Sequence, residues 1–354
     1  MIILALLSIT PRLARACLGE PSKSELLLRL KPGVDKCSKS RALTLMGLEV
    51  VDEIPEINVL VVRVPQNSLP SVISALSRNP IIDFVEENCW VPSSAVPNDE
   101  YYGFQWHLKK VGAPDAWDIS LGDSDVVIAI LDSGVDLSHP DLAGKLLQGY
   151  NFYNNSYDVM DYSGHGTAVA GVAAVATNNS LGVAAMGWRC SILPVRVTDE
   201  KGYTSYSLLA KGLTYAADKG AKLAVVSFQI FGGQSLSSAA KYFMEKGGLV
   251  VASGGNTGSY CGDSDNPYVV SVSGTTSSDV SWGTYGPFID LSAPCSAIYT
   301  TIKGGGYGNV GGTSFSAPLT AGLAALVFSA NPSLTSGQVE QILESTAVDF
   351  GSLG

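Results

Sequence analysis

The run of apolar and polar positions changes character near residue 97. Before it, short segments follow one another as strand, helix, strand, strand, helix, strand: residues 26–30, 39–46, 48–54, 59–64, 69–78 and 82–86. Pro70 falls in the first turn of the second helix, where a missing N–H costs nothing. This βαββαβ order is that of a split ferredoxin-like unit, a plan that carries no function of its own. A Pro/Ser/Asn-rich stretch at 91–98 then reads as a linker. Beyond it, nearly unbroken apolar runs at 126–131, 192–197, 223–228, 249–252 and 268–272 predict strands buried on both faces. Helical stretches at 167–176, 206–219 and 235–246 fall between them. A helix apolar on all sides follows at 314–330 and stops before Pro332. The fold class expected is therefore α/β: a doubly wound parallel sheet, preceded by a small α+β ferredoxin-like domain. Its site is expected at the strands' carboxyl ends.

Composition narrows the possible functions. Apolar residues make up 46% and charged residues 15% of 354, as in a compact globular chain with a large core. A net charge of −10 argues against nucleic-acid and anionic-membrane partners, which need a positive surface. Six cysteines occur, none in a CxxC pair, which disfavours a structural zinc site. Cys37 with Cys89 and Cys261 with Cys295 are possible disulfides, and buried free thiols are the equal alternative. The apolar residues 1–9, followed by Ala14-Arg15-Ala16, predict an atypical signal peptide over 1–19 and hence export. It lacks a basic start, and Arg12 and Arg15 lie on the far side. No other segment reads as long and apolar enough to span a membrane, and a monomer is expected.

Three short segments carry candidate chemistry. Asp132 ends the first buried strand in Leu131-Asp132-Ser133-Gly134, where a turn-capping role is the simpler reading of the segment alone. His165, in Gly164-His165-Gly166-Thr167, opens a small apolar helix; flanking glycines let backbone approach an imidazole closely. Ser314, in Gly311-Gly312-Thr313-Ser314-Phe315-Ser316-Ala317-Pro318, stands at a helix start. A serine there is commonly an N-cap, but the same place aims free N–H groups at whatever bonds the serine oxygen. A fourth segment, Gly254-Gly255-Asn256-Thr257-Gly258, offers an amide donor or simply a turn. Together the order Asp, His, Asn, Ser along one parallel-sheet domain makes four unrelated turns an unlikely coincidence.

These segments, LDSGVDLSHPDL, GHGTAVAG, SGGNTG and GGTSFSAP, resemble the signature segments of subtilisin-like serine proteases, most of all the thermitase-like branch. The resemblance runs from about residue 97 to the end, and residues 22–90 resemble the family's inhibitor-like propeptide. It implies a secreted serine endopeptidase made as a self-processing zymogen, with protein or peptide substrates. The propeptide would serve as intramolecular chaperone and inhibitor. The organisation implied is a signal over 1–19, propeptide over 20–91, processing linker over 92–98 and catalytic domain over 99–354. Ser314 would be the nucleophile, His165 the general base, Asp132 its orienting carboxylate and Asn256 an oxyanion donor. Ser227, Phe228, Gln229, Ser253 and Gly254 would bind substrate. The resemblance also implies a structural Ca²⁺, held by side chains of Asp99, Asp141 and Asn179 and by carbonyls of Ala176, Leu181 and Val183.

The chain departs from the family pattern in two places. Ser227-Phe228-Gln229-Ile230-Phe231-Gly232 stands where Ser-Leu-Gly is usual, so Gln229 changes the wall of the pocket for the residue before the scissile bond. The sequence also stops soon after Glu344-Ser345-Thr346-Ala347, before the Gly-rich segment with which members close. Other classes lack their marks: no GxGxxG or GxxxxGK[ST] for nucleotides, no GxSxG, no HExxH. His165 argues against a relative that uses Glu there. A catalytically dead binding module is disfavoured because all four positions hold competent residues.

Overall fold

The computed structural model describes residues 21–34, 48–65, 68–89, 95–230 and 232–349, and the chain divides into two compact units at 93/94. The expected signal at 1–19 and helix at 39–46 lie outside the described residues, as does Phe231.

In the first unit, β1 (Pro21–Leu30), β2 (Glu49–Ile54), β3 (Val59–Arg63) and β4 (Ile82–Cys89) form an antiparallel sheet in the order β2-β3-β1-β4. Helix α1 (Leu69–Ser77) packs its Leu69 and Leu76 on Leu26, Leu28, Leu60 and Val62. Leu26 and Leu28 are two apart and so share one face of β1, while Arg29 turns outward to pair with Asp83 at 2.6 Å. The strand order is that of the ferredoxin-like plan.

The second unit is built on seven parallel strands: β5 (Val127–Asp132), β6 (Tyr150–Asn151), β7 (Ser191–Arg196), β8 (Leu223–Val226), β9 (Leu249–Ser253), β10 (Val269–Thr275) and β11 (Leu291–Pro294). They lie in the order β11-β10-β9-β8-β5-β7-β6. Two short helices, α2 (Trp106–Lys110) and α3 (Ala113–Trp117), precede β5. Helix α4 (His165–Ala174) follows β6; α5 (Tyr206–Asp218) and α6 (Gln234–Glu245) flank β8. A hairpin of β12 (Ile298–Ile302) and β13 (Gly306–Val310) leads to α7 (Thr313–Ala330), and α8 (Ser336–Thr346) closes the described chain with a Thr335–Gln338 capping box.

The two faces of the sheet are covered by different helices. Val127, Ala129 and Leu131 of β5 face a core with Leu209 and Leu213 of α5 and Leu236, Ala240 and Phe243 of α6. Ile128, Ile130 and Asp132, in the opposite phase, point to the side on which α4 and α7 pack. That phase aims the Asp132 carboxylate at α4. Helix α7 meets by length and composition the requirement for a membrane span, which corrects the expectation that no segment does. It is buried against β8–β11, which is why every side of it is apolar. Cys261 and Cys295 are free thiols, so the possible pairing of these two is corrected. Cys295 is buried against Gly274, whereas the backbone of Cys261 is held by Tyr285. Cys37 lies outside the described residues.

His107 in α2 is fully buried, its Nδ1 has no partner among the described residues, and burial pushes its pKa down to about 3. The unfolded chain therefore takes up a proton near pH 6.5 that the fold refuses until about pH 3. The contribution of this residue to stability is whole above the unfolded value and declines as pH falls below it, by at most about 1.4 kcal/mol per pH unit. Thermal unfolding between pH 7 and 5 is expected to show a shallower acid loss in a His107→Phe variant than in the parent.

Candidate active site

The carboxyl end of β5 delivers Asp132, only 1% exposed, to the start of α4. Its Oδ1 accepts hydrogen bonds from His165 Nδ1 and from the Ser133 amide, both at 2.8 Å. Its Oδ2 is buried without a partner among the described residues. The His165 side chain is 37% exposed, so the ring has one nitrogen tied to carboxylate and its other edge open to solvent. Burial pushes the imidazole pKa down. The Asp132 charge, its hydrogen bond and the charge of Asp161 outweigh this, and the pKa stands above the ordinary 6.5.

The close approach of these two segments depends on Gly166. A Cβ there would collide with Gly134 O and lie 3.1 Å from Asp132 Cβ. Asp161, which the sequence reading missed, holds the same two segments together. Fully buried, it accepts at Oδ1 from Ser133 Oγ (2.9 Å) and Gly164 N (2.7 Å), and at Oδ2 from Thr167 N (2.8 Å) and Thr167 Oγ1 (2.6 Å). Ser133 Oγ accepts from Gly166 N at 3.0 Å, and Thr167 Oγ1 from Asp136 N at 3.0 Å. The one signal in the sequence was a carboxylate four residues before His165, with no periodicity to distinguish it.

Ser314 is the second residue of α7, so its N–H is one of the four donors that a helix leaves free at its start. The His165 ring lies 5.6 Å from the ring of the next residue, Phe315, which brings α4 and α7 together at their N-termini. Asn256 stands on the turn after β9. Its Oδ1 accepts from both Thr313 N and Thr313 Oγ1 at 2.9 Å, and Thr313 Oγ1 also accepts from Gly255 N at 3.1 Å. With the carbonyl side of the amide held this way, Nδ2 is left as the free donor, 3.4 Å from where a Cβ on Gly312 would lie. Gly312, with φ of 131°, supplies the turn into α7.

The remaining expected residues fall in two places. Ser227 and Ser253 are buried, Phe228 packs on the core below α5 and α6, and Gly254 N is taken by Val272 O at 2.8 Å; Gln229 is exposed. Far along α4, Asp99 and Asp141 are both buried. Asp99 accepts from Asn178 N at 2.8 Å; Asp141 accepts from Val183 N at 2.9 Å and Asn179 Nδ2 at 2.8 Å. Burial raises both carboxyl pKa values, and for Asp99 the neighbouring charge of Asp141 adds to it. In the loop after α4, Val175, Gly182 and Ala184 carbonyls accept hydrogen bonds, from Thr177, Tyr101 and Gln105. Those of Ala176, Leu181 and Val183 accept none from the described residues. The donor set is two carboxylates, an amide and three unclaimed carbonyls, which fits a hard cation. The Asn179 amide is turned with Nδ2 toward Asp141, so ligation would require it to flip. No group of three or more His, Cys, Asp or Glu able to hold a metal occurs among the described residues.

A carboxylate–histidine pair and a helix-borne serine at the carboxyl edge of a doubly wound sheet are the framework of a serine hydrolase. Comparison with known proteins assigns the class: residues 123–354 match the Subtilase family (Peptidase_S8) and residues 20–88 the Fervidolysin N-terminal prodomain. The chain belongs to the subtilase family and is a subtilisin-like serine protease with an N-terminal prodomain. It is 35% identical over 342 residues to the Thermophilic serine proteinase of Bacillus sp. (strain AK1), covering 95% of this chain and 85% of that one. It is 40% identical over 264 residues to Thermitase of Thermoactinomyces vulgaris, covering 73% and 94%. Among solved structures, a protease of Pseudoalteromonas arctica PAMC 21717 superposes with a TM-score of 0.66 at 27% identity, over 72% of this chain and 94% of that one.

Asp161→Asn keeps the shape and removes a charge, and turns one NH2 toward existing donors. NMR titration is expected to place the His165 pKa below that of the parent, and the clash of donors to cost about 1–3 kcal/mol in unfolding experiments.

Proposed function

We propose that the chain is a secreted, self-processing serine endopeptidase in which Ser314, His165 and Asp132 act as a catalytic triad. The observation that carries this is the 2.8 Å bond between Asp132 Oδ1 and His165 Nδ1, which leaves Nε2 as the free nitrogen of a ring 5.6 Å from that of Phe315, the residue after Ser314. Nε2 takes the Ser314 Oγ proton as Oγ attacks the substrate carbonyl, and Asp132 stabilises the imidazolium that forms. The charge that develops on the carbonyl oxygen is met by Asn256 Nδ2 and the Ser314 N–H. Both are fixed before reaction, the one by Thr313 and the other by the helix. Collapse breaks the C–N bond, the imidazolium protonates the leaving amine, and water releases the acyl group by the same route. Backbone of Ser227–Gln229 would receive the substrate as an added strand, with Ser253 and Gly254 on the other side of the substrate-binding gap.

The prodomain would serve as folding template and inhibitor, since a long-range parallel sheet forms slowly, and cleavage near Ser94-Ala95 would release the enzyme. The apolar residues 1–9 support export. Asp99, Asp141 and Asn179, with the carbonyls of Ala176, Leu181 and Val183, would hold a structural Ca²⁺ that ties the segment after the linker to the loop after α4.

Three outcomes are expected. The parent chain shortens near residue 95 on a gel and labels with a fluorophosphonate, while Ser314→Ala does neither; a folded parent that does neither overturns the triad. Asn256→Ala lowers kcat about 10²–10³-fold, the size found for the oxyanion asparagine of subtilisin itself. In the inactive Ser314→Ala protein, excess EDTA lowers the melting temperature by about 5–10 °C if calcium was present at a hundredfold its Kd; an unchanged midpoint removes the ion from the proposal.

A further inference from the structure

Strands β8 and β9 pair as far as Val226↔Ala252 and no further. Continuing that register sets Phe228 opposite Gly254 and Gln229 opposite Gly255, where the two backbones have parted. Phe228 and Ile230 turn into the core, so Gln229, in the opposite phase, faces out into the gap. Its amide crosses that gap: Nε2 donates to Gly254 O at 3.4 Å, and a Cβ placed on Gly255 would collide with Nε2. The far wall is the backbone of Gly254 and Gly255, and Gln229 fills the gap before it, with Thr284 Oγ1 also beside Gly255. Gly255 N is bonded to Thr313 Oγ1, and the next residue is Asn256, so the gap adjoins the oxyanion donors.

A peptide lying along Ser227–Gln229, with its carbonyl oxygen at Asn256 Nδ2, has the side chain of its carbonyl-bearing residue at this gap. We infer that Gln229 restricts the residue on the acyl side of the scissile bond to small side chains, such as Ala or Ser. A Leu or Phe has to displace the amide from Gly254 and Gly255 before the carbonyl can reach Ser314. This rests on the proposed function of the same site and adds to it the class of substrate. The restriction is one of volume: the 3.4 Å hydrogen bond is long, and the collision at Gly255 is with the amide's bulk.

The test uses the full chain after self-processing and p-nitroanilide peptides that differ only in having Ala, Leu or Phe before the scissile bond. The parent is expected to favour Ala in kcat/KM. Gln229→Ser is expected to raise the Phe-to-Ala ratio about tenfold or more. Gln229→Glu, of equal size but without Nε2, should stay within about threefold of the parent ratio. Gln229→Ala, read beside Gln229→Ser, guards against a folding defect in one variant. A parent that takes Phe as readily as Ala, or a ratio unmoved in both small variants, overturns the assignment. A Glu variant that opens like Ser overturns the volume argument on which it stands. A parent inert to all three peptides and to a fluorophosphonate overturns the proposed function instead.

Discussion

In a parallel sheet every strand brings its carboxyl end to the same edge, and buried carboxylates there must find donors close at hand. Asp161 meets that constraint with four hydrogen bonds from two directions: Ser133, just past β5, and the first turn of α4. Side chains that would otherwise belong to separate loops are thereby placed on one scaffold. Asp132 can be fully buried beside His165 because its neighbour Ser133 is already anchored, and Gly166 lets the helix come close enough for a 2.8 Å bond. The phase of β5 completes the arrangement, since moving the strand by one residue would turn Asp132 into the core of α5 and α6.

The opposite side of the site follows the same logic with a neutral group. An amide side chain can present either end, and Thr313 removes the choice by donating twice to the Asn256 oxygen. The donor end is thereby fixed in advance, as the proposed oxyanion role would require. Gly255, with φ of 102°, lets the backbone turn here, and its missing side chain leaves a space that Gln229 enters.

Long, nearly continuous apolar runs were legible because burial on both faces leaves no alternation to misread; β5, β7, β8, β9 and β10 correspond to such runs, and α1 and α4–α7 to the helical stretches expected. The two-residue β6 and the strand β11, reading Leu-Ser-Ala-Pro, carry too few residues for any period to show. The helix α8 was also passed over, its mixed residues being drawn in by the capping box at Thr335 rather than by an apolar stripe. Asp132, His165, Asn256 and Ser314 were legible through the short segments around them. Asp161 was not, because its importance lies in the four donors that converge on it from residues up to 28 positions away. Nor could sequence settle Cys261 and Cys295, whose separation is a matter of which loops the sheet sets side by side.

Helix α4 begins with the imidazole and ends where the loop of Asn179 starts. Ten residues of helix make a stiff rod about 15 Å long. The Asp161 bonds fix one end, and Asp141, through Val183 and the Ala176 amide, grips the segment at the other. A rod held at both ends makes the imidazole and the loop of Asn179 parts of one stiff body, although no side chain of that loop reaches the ring.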